Sequence, residues 1–564
     1  MQSTATTFDV AILDNGLVGS ALAAVLARRG ARVALISVDT HPRYTPGEIA
    51  TPYTTALLRV LADRYDVPEL AVLATARRAR AEVSARLGTA RASGFVYHRT
   101  GRPRAPEEVF QLAPPRVMPA PPTLYRQDTD AYVFHAACRY GATAYQQTRV
   151  ADVVPDRDGV TVVRSDGRTI RARYVVDTGG RGIRLIDLFH TQEQPSRLRH
   201  RALGMATHMV RVRPFDEAGR AGRRHRPPVP WGAGPLHHVF AGGYLWVVPF
   251  GPGRDGTPVA WSVGASLAVP QPAPGPMDGA ENPGPWRADP GEPAERRWDR
   301  LLDEFPDIGA QLHDARPVQP WTTIGSQPSG GGCAGDRWCA IGEAAGLVDP
   351  LMSRPLLRGL EAVNFLGGRL LDAIRADDFA AERFRFLNEF AQRTMDADDR
   401  LVHAFFGASA DYQLWKAFLS VWEVGSFYGR LTVEHAGSAH HDGDGRAFQR
   451  LETAKYLGLP FPCHEGYHEL FERACADIDD VTAGRTGASR AAGRMYAGLR
   501  ATGLVPAGLP LADESLRFMH PGPADLVRLR RWGRRDAPDE VRPLLGRLGG
   551  GRGLKRTANR GSER

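Results

Sequence analysis

Residues 8 to 36 constrain the chain more than any other stretch. An apolar run, FDVAIL, enters the turn Asp14-Asn15-Gly16-Leu17-Val18-Gly19; SALAAVLARRG then follows with helical periodicity and ends at Gly30, before a second apolar run, ARVALIS. Strand, glycine turn, helix and strand in this order predict a βαβ unit on a parallel sheet. In such a unit the glycines let a pyrophosphate approach the helix N-terminus, where unpaired N–H groups favour an anion. Gly16 and Gly19 take the second and third glycine places, and Asp14 takes the first. The acid expected about 20 residues on, to hold an adenosine ribose, is replaced by Ser37, with Asp39 two residues late.

Downstream, RVADVVPDRDGVTVVRSDGRTIRARYVV (149 to 176) alternates strands with the turns DRDG and SDG, which predicts a three-stranded antiparallel ribbon. Strand-like runs between 202 and 265 predict a second, largely antiparallel sheet. Pro270 to Pro293 is dense in Pro and Gly and reads as a surface excursion. Helical patterning covers Gly359 to about Arg430 and most of 446 to 535. The expected class is α/β. A Rossmann-like nucleotide-binding lobe takes residues 1–200 and 320–378, an antiparallel-sheet substrate lobe 201–319, a helical region 379–545 and a disordered basic tail 546–564.

The chain has 564 residues and a formal charge of +9, of which the tail from 546 carries +5 (six Lys or Arg against one Glu). The remaining body has no basic stripe interleaved with aromatics, so no nucleic-acid partner is expected. Five widely spaced cysteines without a CxxC pair argue against disulfides and zinc. With no signal-like N-terminus and no 18-residue apolar run, a cytoplasmic protein off the membrane is expected. His440, His441, Asp442 and Asp444 read as a solvated loop rather than a metal site. No GxSxG, P-loop or HExxH is present, which removes hydrolase and NTPase readings.

Five segments in order resemble flavin-dependent halogenases: HPRYTPGEIATP, LYRQDTDAYVFHAACRYGA, YVVDTGGRG, GGYLWVVPF and DRWCAIGEAAGLVDPLMS. The similar stretch LWKAFLSVWEVGSFYG extends the resemblance to Gly429. It implies an FAD-binding fold, with Gly16, Gly19, Arg43, Glu48, Arg126, Gly342, Glu343 and Asp349 at the cofactor. GEAAGLVDP resembles the segment that holds the ribityl chain and diphosphate, with Glu343 where Asp is usual. Tyr244-x-Trp246-x-x-Pro249 resembles the family's W-x-W-x-x-P signature, which keeps substrate away from the flavin. Tyr97, Tyr244, Trp246 and Pro355 are the expected substrate-pocket residues.

The family resemblance also implies an active-site lysine in the N-terminal half, relaying hypohalous acid to substrate. The first lysine here is Lys416; where the relay is expected, SARLGTARASGFVYH offers Ala90 and Arg91. An arginine stays protonated and makes a poor N-halogen carrier. The halide loop reads Ser353-Arg354-Pro355, and proline has no N–H to donate. Five departures, at Asp14, Ser37, Ala90 or Arg91, Glu343 and Pro355, predict a repurposed scaffold that binds FAD more weakly. The expected function is a natural-product tailoring enzyme, an FAD-dependent oxidoreductase acting on an apolar small molecule or carrier-bound substrate. A flavin reductase or carrier protein would be its partner. The alternatives are a halogenase whose relay is Arg91 or Tyr97, a non-redox cyclase or isomerase working by shape, and a non-catalytic carrier. No catalytic residue is assigned; Glu423 and His403 are weighed as acid–base groups tuned by burial.

Overall fold

The computed structural model describes residues 7–194, 196–218, 226–252, 257–269, 288–327 and 330–546. The βαβ unit forms as expected: β1 (Phe8–Leu13), α1 (Leu17–Arg28) and β2 (Val33–Ile36). The first sheet adds β5 (Thr143–Tyr145), β8 (Thr169–Asp177) and β14 (Trp338–Ala340), giving the order β14-β8-β1-β2-β5 with all four pairings parallel. Two further strands, β6 (Val150–Pro155) and β7 (Val160–Arg164), extend β8 as the antiparallel ribbon read from the DRDG and SDG turns. α1 is apolar almost all round because it is covered twice, by the sheet and by the helices α3 (Arg126–Arg139) and α4 (Arg354–Ala376).

The second sheet holds β9 (Ala202–Val210), β10 (Leu236–Phe240), β11 (Gly243–Pro249), β12 (Trp261–Ala268) and β13 (Thr322–Gly325). It also recruits β3 (Ser93–His98) and β4 (Val109–Leu112), with β3 parallel to β10. That corrects the division read from the sequence, which put residues 93–112 in the nucleotide-binding lobe. Their partner strand lies about 140 positions away, and local pattern carries no information about such pairing.

Both faces of this sheet are covered. Phe95, Tyr97, Phe110, Tyr244, Trp246 and Val248 meet two long helices, α5 (Ala381–Ala408) and α6 (Tyr412–His441). The opposite face buries Met205, Phe240, Val247 and Trp261 against Trp298 and Leu301. Two of the helices start on a capping side chain. Thr51 caps α2 (Pro52–Tyr65) by accepting the Thr54 N–H, and Asp411 caps α6 by accepting from Gln413 and Leu414, contacts worth about 1 kcal/mol each. α6 runs on through His440 and His441, so those residues sit in a helical last turn and not in a loop. Among the described residues no cluster could hold a metal ion, and no helix is long and apolar enough to cross a membrane. Residues 270–287 of the Pro/Gly stretch and 547–564 of the basic tail lie outside the described residues.

Candidate functional site

Four parallel strands of the first sheet end together, at Leu13, Ile36, Asp177 and Ala340. The turns that follow them, Asp14 to Gly19, Ser37 to Asp39, Thr178 to Gly180 and Ile341 to Gly346, line one crevice, where α/β sheets bind their ligands. A pocket there is lined by Asp14, Ser37, Thr148, Gly179 and Arg181. Gly19 is compulsory: a Cβ would stand 2.3 Å from the Asp14 carbonyl oxygen and 2.7 Å from Thr178 Oγ1. Gly342 has φ +59, in the left-handed region glycine favours.

The charged residues converge. Arg43 is gripped by two carboxylates, Asp14 at 2.7 Å and Asp39 at 2.8 Å. Arg126 forms a two-pronged pair with Asp130, through Nε at 2.7 Å and NH2 at 2.9 Å, and donates NH1 to the carbonyls of Pro46 and Gly47. Glu343 is exposed to solvent on one side and packed by protein on the other. The packed side raises its pKa by desolvation, against the lowering effect of Arg126 and Arg358. Arg358 is buried, donates to the Gly346 carbonyl at 2.7 Å and lies 3.3 Å from Asp398.

Two expected cofactor residues turn elsewhere. Glu48 is 2% exposed; its carboxylate meets His208 Nε2 of β9 at 2.9 Å and accepts the Gly47 N–H. Asp349 points into the second sheet, where it accepts the Tyr244 and Ser266 hydroxyls and the Leu351 N–H. Each ties a loop to the second sheet. Tyr97, Tyr244 and Trp246 share one buried aromatic cluster with Phe405, Trp415 and Trp422. The Tyr97 hydroxyl donates to the Ser409 carbonyl at 2.9 Å, and the Trp246 indole N–H to Ser262 at 3.3 Å. Pro355 lies half-buried in the first turn of α4, after Met352 and Ser353, both at left-handed φ. The Ser353 N–H is already turned to the Pro350 carbonyl.

Sequence reading missed Asp130, although its spacing of four from Arg126 on a helix is a recognisable pairing signal. It also passed over Asn15. That residue is fully buried, and neither polar atom of its side-chain amide has a partner, which leaves a donor and an acceptor at the mouth of the glycine turn. An unsatisfied amide, a helix N-terminus and a cradle closed to any Cβ at Gly19 fit a dinucleotide.

Residues 7–261 match the FAD binding domain family. Over 540 residues the chain is 36% identical to the tetracycline 7-halogenase of Kitasatospora aureofaciens, covering 95% of each chain. It is also 36% identical over 495 residues to the monodechloroaminopyrrolnitrin halogenase PrnC of Pseudomonas fluorescens, covering 87% of this chain and 84% of that one.

The chain belongs to the flavin-dependent halogenase family.

FAD is accordingly its cofactor, as the glycine turn and the GEAAG segment imply. The solved structure of halogenase PltM in complex with phloroglucinol and FAD superimposes on this halogenase-family chain with a TM-score of 0.82 at 26% identity. It covers 91% of this chain and 99% of that one.

Proposed function

We propose that this halogenase-family enzyme tailors an apolar aromatic small molecule or a carrier-bound substrate by FAD-dependent oxidation that uses no lysine relay, with a flavin reductase as its redox partner. The carrying observation is where the lysines go. Lys416 gives its ammonium to the carbonyls of Glu514 and Leu516, and Lys455 is exposed and paired with Glu465. Lys555 lies outside the described residues. Arg91, at the expected relay position, is exposed, and the Tyr97 hydroxyl is committed to Ser409. Pro355 and the turned-in Ser353 N–H remove two donors from the loop that would hold halide.

Bound FAD supplies two-electron redox chemistry and activation of dioxygen. In this reading Gly16, Gly19 and Arg43 hold the diphosphate, Arg126, Gly342 and Glu343 border the ribityl chain, and Tyr244 with Trp246 walls the substrate cavity. Glu48 and Asp349 support the site from behind by fixing its loops to the second sheet.

A second reading, halogenation through an unfamiliar relay, is favoured by the 36% identity to tetracycline 7-halogenase across nearly the whole chain. The deciding experiment supplies FAD, a flavin reductase, NADH and oxygen to the purified enzyme with phloroglucinol or a polycyclic phenol. Chloride, bromide or neither is added, and products are read by mass spectrometry. A halide-independent product with one added oxygen or two fewer hydrogens supports the oxidative reading. A product whose mass follows the halide establishes the second, and conversion that proceeds without flavin overturns both.

A further inference from the structure

Asp14 is bent back onto the helix it precedes. Its backbone adopts φ +79, a left-handed conformation uncommon outside glycine, and this turns the carboxylate onto the N-terminus of α1. There Oδ2 accepts the Gly16 N–H at 2.9 Å, and Oδ1 takes the Arg43 guanidinium at 2.7 Å. Both side chains are only 12% exposed. The neighbouring loop accommodates this placement: a Cβ at Gly180 would stand 2.5 Å from Asp14 Oδ1. Beside it, the buried Asn15 amide has no partner at either polar atom.

A helix N-terminal N–H and an adjacent guanidinium are what a phosphate seeks. Both are already engaged by one carboxylate, and Asp39 takes the NH1 of Arg43 at 2.8 Å. A diphosphate entering the glycine turn must therefore displace the Asp14 carboxylate from these donors. We infer that Asp14 is a built-in occupant of the diphosphate site, so that FAD binds by exchange with this carboxylate and is held as a readily released cofactor. The unpartnered Asn15 amide is then a contact completed only after the exchange. This concerns cofactor entry and holds whichever oxidation the flavin serves.

The test compares the full-length protein with Asp14→Asn and Asp14→Gly. Equilibrium affinities are measured for FAD by fluorescence quenching, for ADP by calorimetry and for riboflavin, which lacks the diphosphate, by its own fluorescence; melting temperatures check folding. Asn keeps an acceptor for the Gly16 N–H while removing the charge, and Gly removes both. Removing a carboxylate from an anion site should tighten FAD and ADP by about tenfold or more in each variant, leaving riboflavin unchanged. FAD affinity that is unchanged or weaker in folded variants overturns the inference. So does riboflavin tightening in parallel, since a general reshaping of the pocket would then explain the gain.

Discussion

The Tyr244 hydroxyl donates to Asp349 Oδ1 at 2.7 Å, tying the middle of the second sheet to the turn that leaves the GEAAG segment. Asp349 also accepts the Ser266 hydroxyl and the Leu351 N–H, so its buried carboxylate has donors on both oxygens. Tyr244 stands where the halogenase signature has tryptophan, and the exchange brings a hydroxyl to this carboxylate. Burial pushes the Asp349 pKa up while the Ser266 and Tyr244 hydroxyls pull it down. Tyr244→Phe should cost about 1.5 to 3 kcal/mol, the usual worth of a hydrogen bond to a charged group. Urea denaturation of the two proteins measures this; a difference below ~0.5 kcal/mol would mean that Ser266 and Leu351 suffice.

Arg126 and Asp130 form a buried pair one helical turn apart, and the Asp130 side chain has no solvent exposure. Arg126→Ala should destabilise the protein by about 3 to 5 kcal/mol, because it strands a buried carboxylate. Arg126→Met with Asp130→Leu removes both charges and should lose much less than the sum of the single changes. A double-mutant cycle in guanidinium chloride reads the coupling, and additive losses would refute the pairing argument.

The βαβ unit and the ribbon were legible because their signals are local: apolar runs of strand length, turn residues and one helical period. The glycine turn and GEAAG located the crevice for the same reason. What the sequence withheld depends on distant partners. Glu48 meets a histidine 160 positions away, so its role in tying this loop to the second sheet could not be read from the GE pair alone. Asp14 was visible as a misfit, but the direction of its side chain follows from a left-handed φ and from Arg43, 29 residues on. His403 reads as an acid–base candidate by residue type, whereas the structure places it half-exposed beside Asp479, at 3.3 Å.

Arg91 gives a direct check on the halogenation alternative. Its side chain is exposed and its backbone N–H bonds the Ala233 carbonyl, so the position serves the backbone and not a cavity. Arg91→Ala should leave turnover within about twofold, as expected for a surface change worth under ~0.5 kcal/mol. Initial rates with the two proteins measure it. A loss of two orders of magnitude with substrate binding intact would instead make Arg91 the relay.

Glu423 lies on α6 between Trp422 and Val424, and burial raises its carboxyl from an ordinary 4.5 to about 7. A carboxyl raised in the folded state binds its proton more tightly there than in the unfolded chain. Below about 4.5 both states keep the proton and nothing is lost. Between 4.5 and 7 the unfolded chain ionises while the folded one resists, so stability falls; above 7 both are ionised and the penalty stays constant. Glu423→Gln cannot ionise, so its stability relative to the parent should climb across pH 4.5 to 7 by roughly 1 to 3 kcal/mol, then level off. Asp177, buried and also raised to about 7, titrates in the same window but is common to both proteins and cancels in the difference. Urea midpoints at half-unit pH steps provide the curve. A difference that does not change with pH would mean that the Glu423 carboxyl ionises normally in the folded protein, leaving it unsuited to move a proton near neutrality.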